Sequence, residues 1–135
     1  METKRAFDVF YKIRRQIRKL EEEGGLPQEL TRQSDNPDET LKSTLGMSIL
    51  GKLEDISYMM DWLEKPIAAD GVLAKNHNGR YGVQDIELTS GHPLEVWDEE
   101  YKEWSLSRIE YDNDYYITSL GRDKSIEGVR VRIRY

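Results

Sequence analysis

Apolar positions in the first half of the chain repeat with the period of an α-helix. Residues three and four apart share one face of a helix, and two rows keep that spacing. Gly24-Gly25 ends the first row, and Pro66 ends the second because the residue before a proline avoids helical geometry. The pattern predicts helices over about residues 3–23 and 38–64. The rows are Ala6, Phe10, Ile13, Ile17 and Leu20, then Leu45, Ile49, Leu53, Ile56, Met60 and Leu63.

Two amphipathic helices joined by a connector bury their apolar rows best as an antiparallel hairpin. Residues 25–37 are rich in turn formers, which predicts an irregular connector. A lone two-helix hairpin is marginal in stability, so we expect its apolar side to pack on the second half of the chain or on another copy. Further apolar residues lie beside the main row of the second helix, as a helix with two neighbours needs: Met47, Leu50, Met59 and Trp62.

After residue 70 the apolar period changes to two, which is typical of strands. Asn78-Gly79 is a strong hairpin signal, and turn signals recur about every 8–12 residues. Apolar parity slips between Leu106 and Ile109, which predicts a β-bulge near Ser107-Arg108. The fold class is therefore α+β: a helical hairpin over residues 1–65, then a small antiparallel β-barrel of five to six strands over residues 66–135.

Residues 71–135 contain a series of short motifs at Gly71 to Leu73, Gly79 to Tyr81, Ser90 to Val96, Arg108 to Glu110, Tyr115 to Ile117 and Glu127 to Arg132. With these motifs, the second half resembles SH3-like and Tudor-like barrels. More narrowly, it resembles a small bacterial family of unknown function that is frequent in Firmicutes and their mobile elements. The resemblance implies a compact β fold and supplies no catalytic residues.

Composition narrows the classes of function. The formal net charge of -6 argues against attraction of the whole molecule to nucleic acid or anionic lipid, although a local basic stripe remains compatible with it. The chain contains no cysteine, which excludes disulfides, thiolate nucleophiles and cysteine zinc sites. No apolar run has the length of a membrane span or a signal sequence. We expect a cytoplasmic protein that does not bind membranes.

No group of residues has the spacing of a catalytic or metal site. His77 and His92 both fall in turns and lack a spaced carboxylate partner. The acidic stretch around Asp98 lacks the spacing of a calcium loop, and the glycine-containing segment near Gly121 lacks that of a phosphate-binding loop. We expect no enzymatic activity, no cofactor, no metal and no small-molecule substrate.

The chain ends in an alternating segment, GVRVRIRY. If its apolar residues point inward, then Arg130, Arg132 and Arg134, here called the arginine stripe, point outward. Three interpretations stay open: a solvated exterior paired with carboxylates of neighbouring strands, a face for nucleic acid, and a face for an acidic protein. Arg80 and Arg108 would extend a nucleic-acid face. The carboxylates expected as cross-strand partners are Glu87, Glu95 and Glu110.

Aromatic residues crowd into residues 81–116, and alternation leaves at least two large rings outside. We expect a non-enzymatic interaction or adaptor module that binds a protein partner, with self-association as one form. The candidate interaction face comprises Met59, Trp62, Trp97 and Tyr116. The alternative is a nucleic-acid-binding accessory protein of a bacterial mobile element that uses the arginine stripe.

Overall fold

The computed structural model describes residues 2–135 and has an α+β fold. The chain divides into two compact units, Met1–Glu64 and Lys65–Tyr135. The first unit is helical and the second consists of antiparallel strands.

The helical unit contains α1 (Glu2–Glu23), α2 (Leu26–Leu30) and α3 (Pro37–Glu64). Helices α1 and α3 are antiparallel, since Arg14 pairs with Glu64 whereas Arg18, one turn later in α1, pairs with Asp61, which lies earlier in α3. Asn36 caps α3, because its side-chain oxygen accepts a hydrogen bond of 2.9 Å from the Asp38 amide. The predicted helical hairpin is present.

The predicted connector between the helices is not wholly irregular, because it contains α2. Gly25 precedes α2 with a φ of 78°, a conformation that glycine adopts without strain, and Pro27 stands in its first turn. Leu30, at the end of α2, packs over Gly46 of α3: a Cβ atom built on Gly46 would lie 2.6 Å from Cδ2 of Leu30. Turn-forming composition concealed this short helix, whose position depends on a contact with a distant glycine.

The second unit contains eight strands, four of which are two to four residues long. They pair into a five-stranded sheet of order β1-β8-β5-β6-β7 and a three-stranded sheet of order β2-β3-β4. The strands are β1 (Ile67–Val72), β2 (Ala74–Lys75), β3 (Tyr81–Val83), β4 (Ile86–Glu87), β5 (Pro93–Asp98), β6 (Glu103–Asp112), β7 (Asp114–Ile117) and β8 (Arg130–Arg134).

The prediction of a closed SH3-like barrel is not confirmed. Closure requires a continuous ring of paired strands, whereas in the described chain β1 and β7 are the two edges of the larger sheet. The Asn78-Gly79 turn connects strands that belong to the separate smaller sheet. Strand spacing predicted the antiparallel character correctly, but it carries no information on whether the edges meet.

The predicted bulge near Ser107-Arg108 is wrong. Strand β6 pairs with β5 without interruption from Asp98↔Glu103 to Pro93↔Arg108. Leu106 is 40% exposed and Ile109 is fully buried, so their opposite parity reflects opposite faces of a regular strand. The register irregularity lies in β1 instead, between Ile67 and Ala69. Leu106 therefore faces outward and is not part of the core.

Both sheets contribute to one core. Strands β1, β5, β6, β7 and β8 supply most of it, and Tyr81 and Val83 come from β3. Ile126, in the loop before β8, closes it from one side and is 1% exposed. Within the described residues, no helix combines the length and apolarity that a membrane span requires.

Candidate functional site

The arginine stripe lies on the outer side of β8. Val131 and Ile133 are fully buried, which directs the alternating Arg130, Arg132 and Arg134 to the opposite side of the strand. Alternation in the sequence therefore predicted the orientation correctly. Because β8 lies between β1 and β5, each arginine has carboxylate-bearing neighbours.

Glu95 of β5 binds two of the three arginines. Its Oε1 atom accepts a hydrogen bond of 2.6 Å from Nε of Arg132, and its Oε2 atom accepts one of 2.7 Å from Nε of Arg134. The Glu95 side chain is 6% exposed, and those of Arg132 and Arg134 are 19% and 15% exposed. A buried charge requires oppositely charged groups that form hydrogen bonds with it. The cluster of Glu95, Arg132 and Arg134 therefore stabilises the sheet.

Arg130 pairs with Asp70 of β1. The carboxylate accepts two hydrogen bonds of 3.2 Å from the guanidinium, and these bonds raise the pKa of Arg130. Both side chains are nearly half exposed, so water screens this pair far more than it screens Glu95.

Two tryptophans lie beneath the arginines on the same side of the sheet. Trp97 and Trp104 are cross-strand partners with ring centroids 5.1 Å apart. The Arg132 guanidinium lies 4.1 Å from the centroid of Trp104, and that of Arg130 lies 5.0 Å from Trp104 and 5.4 Å from Trp97. These cation–π contacts hold the guanidinium groups against the sheet.

Of the three carboxylates predicted to pair with the stripe, only Glu95 does so. Glu87 accepts hydrogen bonds from Asn78 and Asn76, which lower its pKa, and it pairs with Arg80 at 3.4 Å. Glu110 pairs with Arg108 at 2.9 Å. The two arginines proposed to extend a nucleic-acid face therefore have carboxylate partners as well. Asp70 was missed because strand pairing across 60 residues cannot be read from spacing.

A cleft of about 560 Å³ opens where β5 ends beside the loop before β8. Trp97 and Arg130 line it together with Asp98, Glu99 and Lys124. Lys102 donates a hydrogen bond of 2.7 Å to Glu99 and lowers the pKa of that carboxyl. Charges of both signs thus line the cleft.

The histidines do not form a shared site. Nδ1 of His92 lies 2.8 Å from the backbone oxygen of Pro93, and Nε2 lies 3.3 Å from the Tyr135 hydroxyl. His77 is exposed in the turn between β2 and β3. Among residues 2–135, no three carboxylate or histidine side chains are grouped as metal ligands would be.

The helical unit has two contrasting sides along the α1–α3 contact. One side is the ion-paired seam, defined as Arg14, Arg18, Asp61 and Glu64. Arg14 donates hydrogen bonds of 2.7 and 2.8 Å to Glu64 and one of 3.0 Å to Asp61, which also pairs with Arg18. The bond from Arg14 lowers the pKa of Glu64. Arg14 is buried, and its position four residues after Phe10 and three before Ile17 was the available signal.

The other side is the apolar face, defined as Phe10, Ile13, Ile49, Ile56, Met59 and Leu63. Each of these residues is between 36% and 57% exposed. A groove of about 400 Å³ opens between α1 and α3, and all its lining residues are apolar, five of them from this face. Most of the main apolar row of the second predicted helix is thus exposed, and within it only Met60 is fully buried.

The predicted interaction face takes two residues from each unit, and these four residues differ in exposure. Met59 belongs to the apolar face, whereas Trp62 is only 2% exposed. Trp97 is half-buried beneath Arg130. Tyr116 is also half-buried, and the Arg122 guanidinium lies 5.3 Å from its ring centroid. The exposed apolar surface is therefore concentrated on the helical unit.

Comparison with known proteins is informative for the β unit alone. A search of curated proteins and a search of solved structures each return no match. Residues 71–133, somewhat less than half of the chain, match a family described as a domain of unknown function, DUF5348. The matched part of the chain comprises strands β2 to β7, the last two residues of β1 and all but the last residue of β8.

Proposed function

We propose that this chain is a non-enzymatic protein-interaction module and that the helical unit is its docking element. The apolar face is the observation that carries the proposal. Ion pairs close one side of the helical hairpin, while large apolar side chains stay half exposed on the other. Monomeric proteins rarely leave such a continuous apolar patch uncovered. We further place the module in the cytoplasm of a bacterium, in keeping with its composition and the resemblance of its β unit.

The β unit offers less support for an interaction site. Most of its apolar residues pack into a core of their own, and its outer tryptophans already contact arginines. An SH3-like character of this unit remains a proposal that rests on strand order and on the resemblance.

Site-specific photo-crosslinking tests the docking role. Met59 and Met47 both lie on α3, with 49% and 38% of their surface exposed, but they are twelve residues and hence about 120° apart around the helix. With benzoylphenylalanine at Met59, we expect a protein adduct in the native cells. The same group at Met47 serves as the control and is expected to give much less. No adduct at Met59, or equal adducts at both positions, would overturn the proposal.

The alternative function is nucleic-acid binding by the arginine stripe. Each of its arginines has a carboxylate partner, so little unpaired positive charge remains to displace counterions from phosphate. This arrangement weighs against the alternative. Fluorescence anisotropy with labelled single-stranded DNA, duplex DNA and RNA tests it at low and physiological salt. Salt-sensitive binding that disappears when all three arginines are replaced by glutamate would restore it.

A further inference from the structure

The size of the apolar face constrains what covers it. Leu41 and Leu45, 57% and 54% exposed, continue the α3 row toward its N-terminus with the same helical spacing. An aromatic side chain buries about 150–250 Å² and an aliphatic one somewhat less. Eight roughly half-exposed side chains therefore present on the order of 700 Å². The largest patch of a typical monomer is about 300–600 Å², and a stable complex buries about 800 Å² per partner.

The length and shape of the face match another helical hairpin. The row on α3 runs from Leu41 to Leu63, which is about 33 Å at 1.5 Å per residue. A single partner helix would fill the groove between α1 and α3 but would leave part of this wide surface uncovered. A second pair of helices would cover it and complete a four-helix bundle, an arrangement in which each helix buries its apolar row. An isologous dimer meets this requirement because the same face is present on both copies.

Charge also favours a second copy in one orientation. Helix α1 carries seven basic and five acidic residues, and α3 carries two basic and six acidic residues. Without the four residues of the ion-paired seam, which neutralise one another, α1 has no net charge and α3 has a formal charge of -2. An arrangement with α1 beside α3 of the other copy avoids the repulsion that two adjacent α3 helices would experience.

We infer that the apolar face is a homodimer interface, in which a second copy of this chain packs its own apolar face to complete a four-helix bundle. This inference rests on the proposed docking role of the helical unit and specifies its partner. Each α1 lies beside α3 of the other copy, and the ion-paired seams lie on the outside of the bundle.

Sedimentation equilibrium of the full chain between about 1 and 100 μM tests the inference. We expect wild type to have twice the chain mass of 15.8 kDa. Met59→Glu places a charge within the interface and should weaken dimerisation at least about 100-fold. Met47→Glu introduces the same charge on the same helix outside the face and should leave the dimer intact. A wild-type monomer at 100 μM, or equal dissociation by both variants, would overturn the inference.

A second measurement guards against misfolding of Met59→Glu. The chain has no cysteine, so Met59→Cys and Met47→Cys each give one spin-label site. Dipolar spectroscopy should find a shorter distance between copies for the label at Met59, and the reverse order would contradict the interface. The crosslinking adducts separate this inference from the proposed function. An adduct of two identical chains supports both, whereas an adduct with a different protein retains the docking role and overturns the homodimer.

Discussion

Replacing Glu95 with glutamine tests whether the arginine stripe is a structural element. The carboxylate accepts short hydrogen bonds from Arg132 and Arg134 through separate oxygens. Glutamine has nearly the same volume, but it has one oxygen and no charge. Its NH₂ group must face one of the two guanidiniums, donor against donor. The substitution therefore removes the electrostatic contribution while leaving the packing almost unchanged.

The expected loss follows from the burial of the three side chains. Removing one partner of a fully buried ion pair costs about 3–5 kcal/mol, because it leaves an uncompensated charge. Both arginines keep some contact with water, since 19% and 15% of their side chains are exposed. We therefore expect Glu95→Gln to lower the free energy of unfolding of the β unit by about 3 kcal/mol.

Asp70→Asn is the matched control on the same side of the sheet. Asp70 also pairs with a stripe arginine, but its side chain is 41% exposed and that of Arg130 is 48% exposed. Exposed pairs contribute about 0–1 kcal/mol, so the control should lose no more than that. The assay is urea unfolding in which hydrogen exchange of the β5 and β8 amides is the readout. Tryptophan fluorescence would not report on the β unit alone, because Trp62 belongs to the helical unit. Equal losses in the two variants would refute the reasoning.

Two further predictions concern the helical unit. Gly51→Ala should raise its free energy of unfolding by about 0.5–1 kcal/mol in thermal or urea melts, because no atom lies within 4 Å of the new Cβ. Gly46→Ala should gain clearly less because of the Leu30 contact, and an equal gain would contradict the packing of α2. The pKa of Glu64 is lowered by its pair with Arg14. This pair therefore contributes its full stabilisation above the ordinary carboxyl pKa of 4.5, and the stabilisation is lost as the pH falls through the lowered pKa. Helical circular dichroism in urea between pH 7 and 3 should therefore show a shallower loss for Glu64→Gln than for wild type, and parallel curves would argue against the ion-paired seam.

Helices and strand orientation could be predicted because they depend on local periodicity. The predicted helices lie within one residue of α1 and α3 at each end, and alternation placed the arginine stripe on the outside of β8. Interruptions in the pattern were less reliable. The slip at Leu106 suggested a bulge because a strand's apolar residues are usually buried, yet this leucine lies on the outer side of a regular strand.

Partners that are distant in sequence could not be predicted. Asp70 and Arg130 are brought together only by the pairing of the first and last strands, and α2 is set by the contact between Leu30 and Gly46. Closure of a barrel is a further property of this kind, because it depends on whether two edges meet. Apolar rows also do not reveal what covers them, and the row of the second predicted helix is largely exposed although we expected it to pack on the second half of the chain or on another copy.

The two units differ in how far they satisfy their own apolar residues. In the β unit, side chains from both sheets reach full burial around one core, and each arginine of the stripe has a carboxylate partner. In the helical unit, Ile17, Met60 and Trp62 are the buried apolar side chains of the described helices. Helices α1 and α3 contact one another along a single surface, and the ion-paired seam occupies one edge of that surface. A hairpin built in this way gains most of its remaining hydrophobic stabilisation from whatever packs on its other side. Binding to the folded state alone raises stability by mass action, so the helical unit should depend on its partner in a way that the β unit does not.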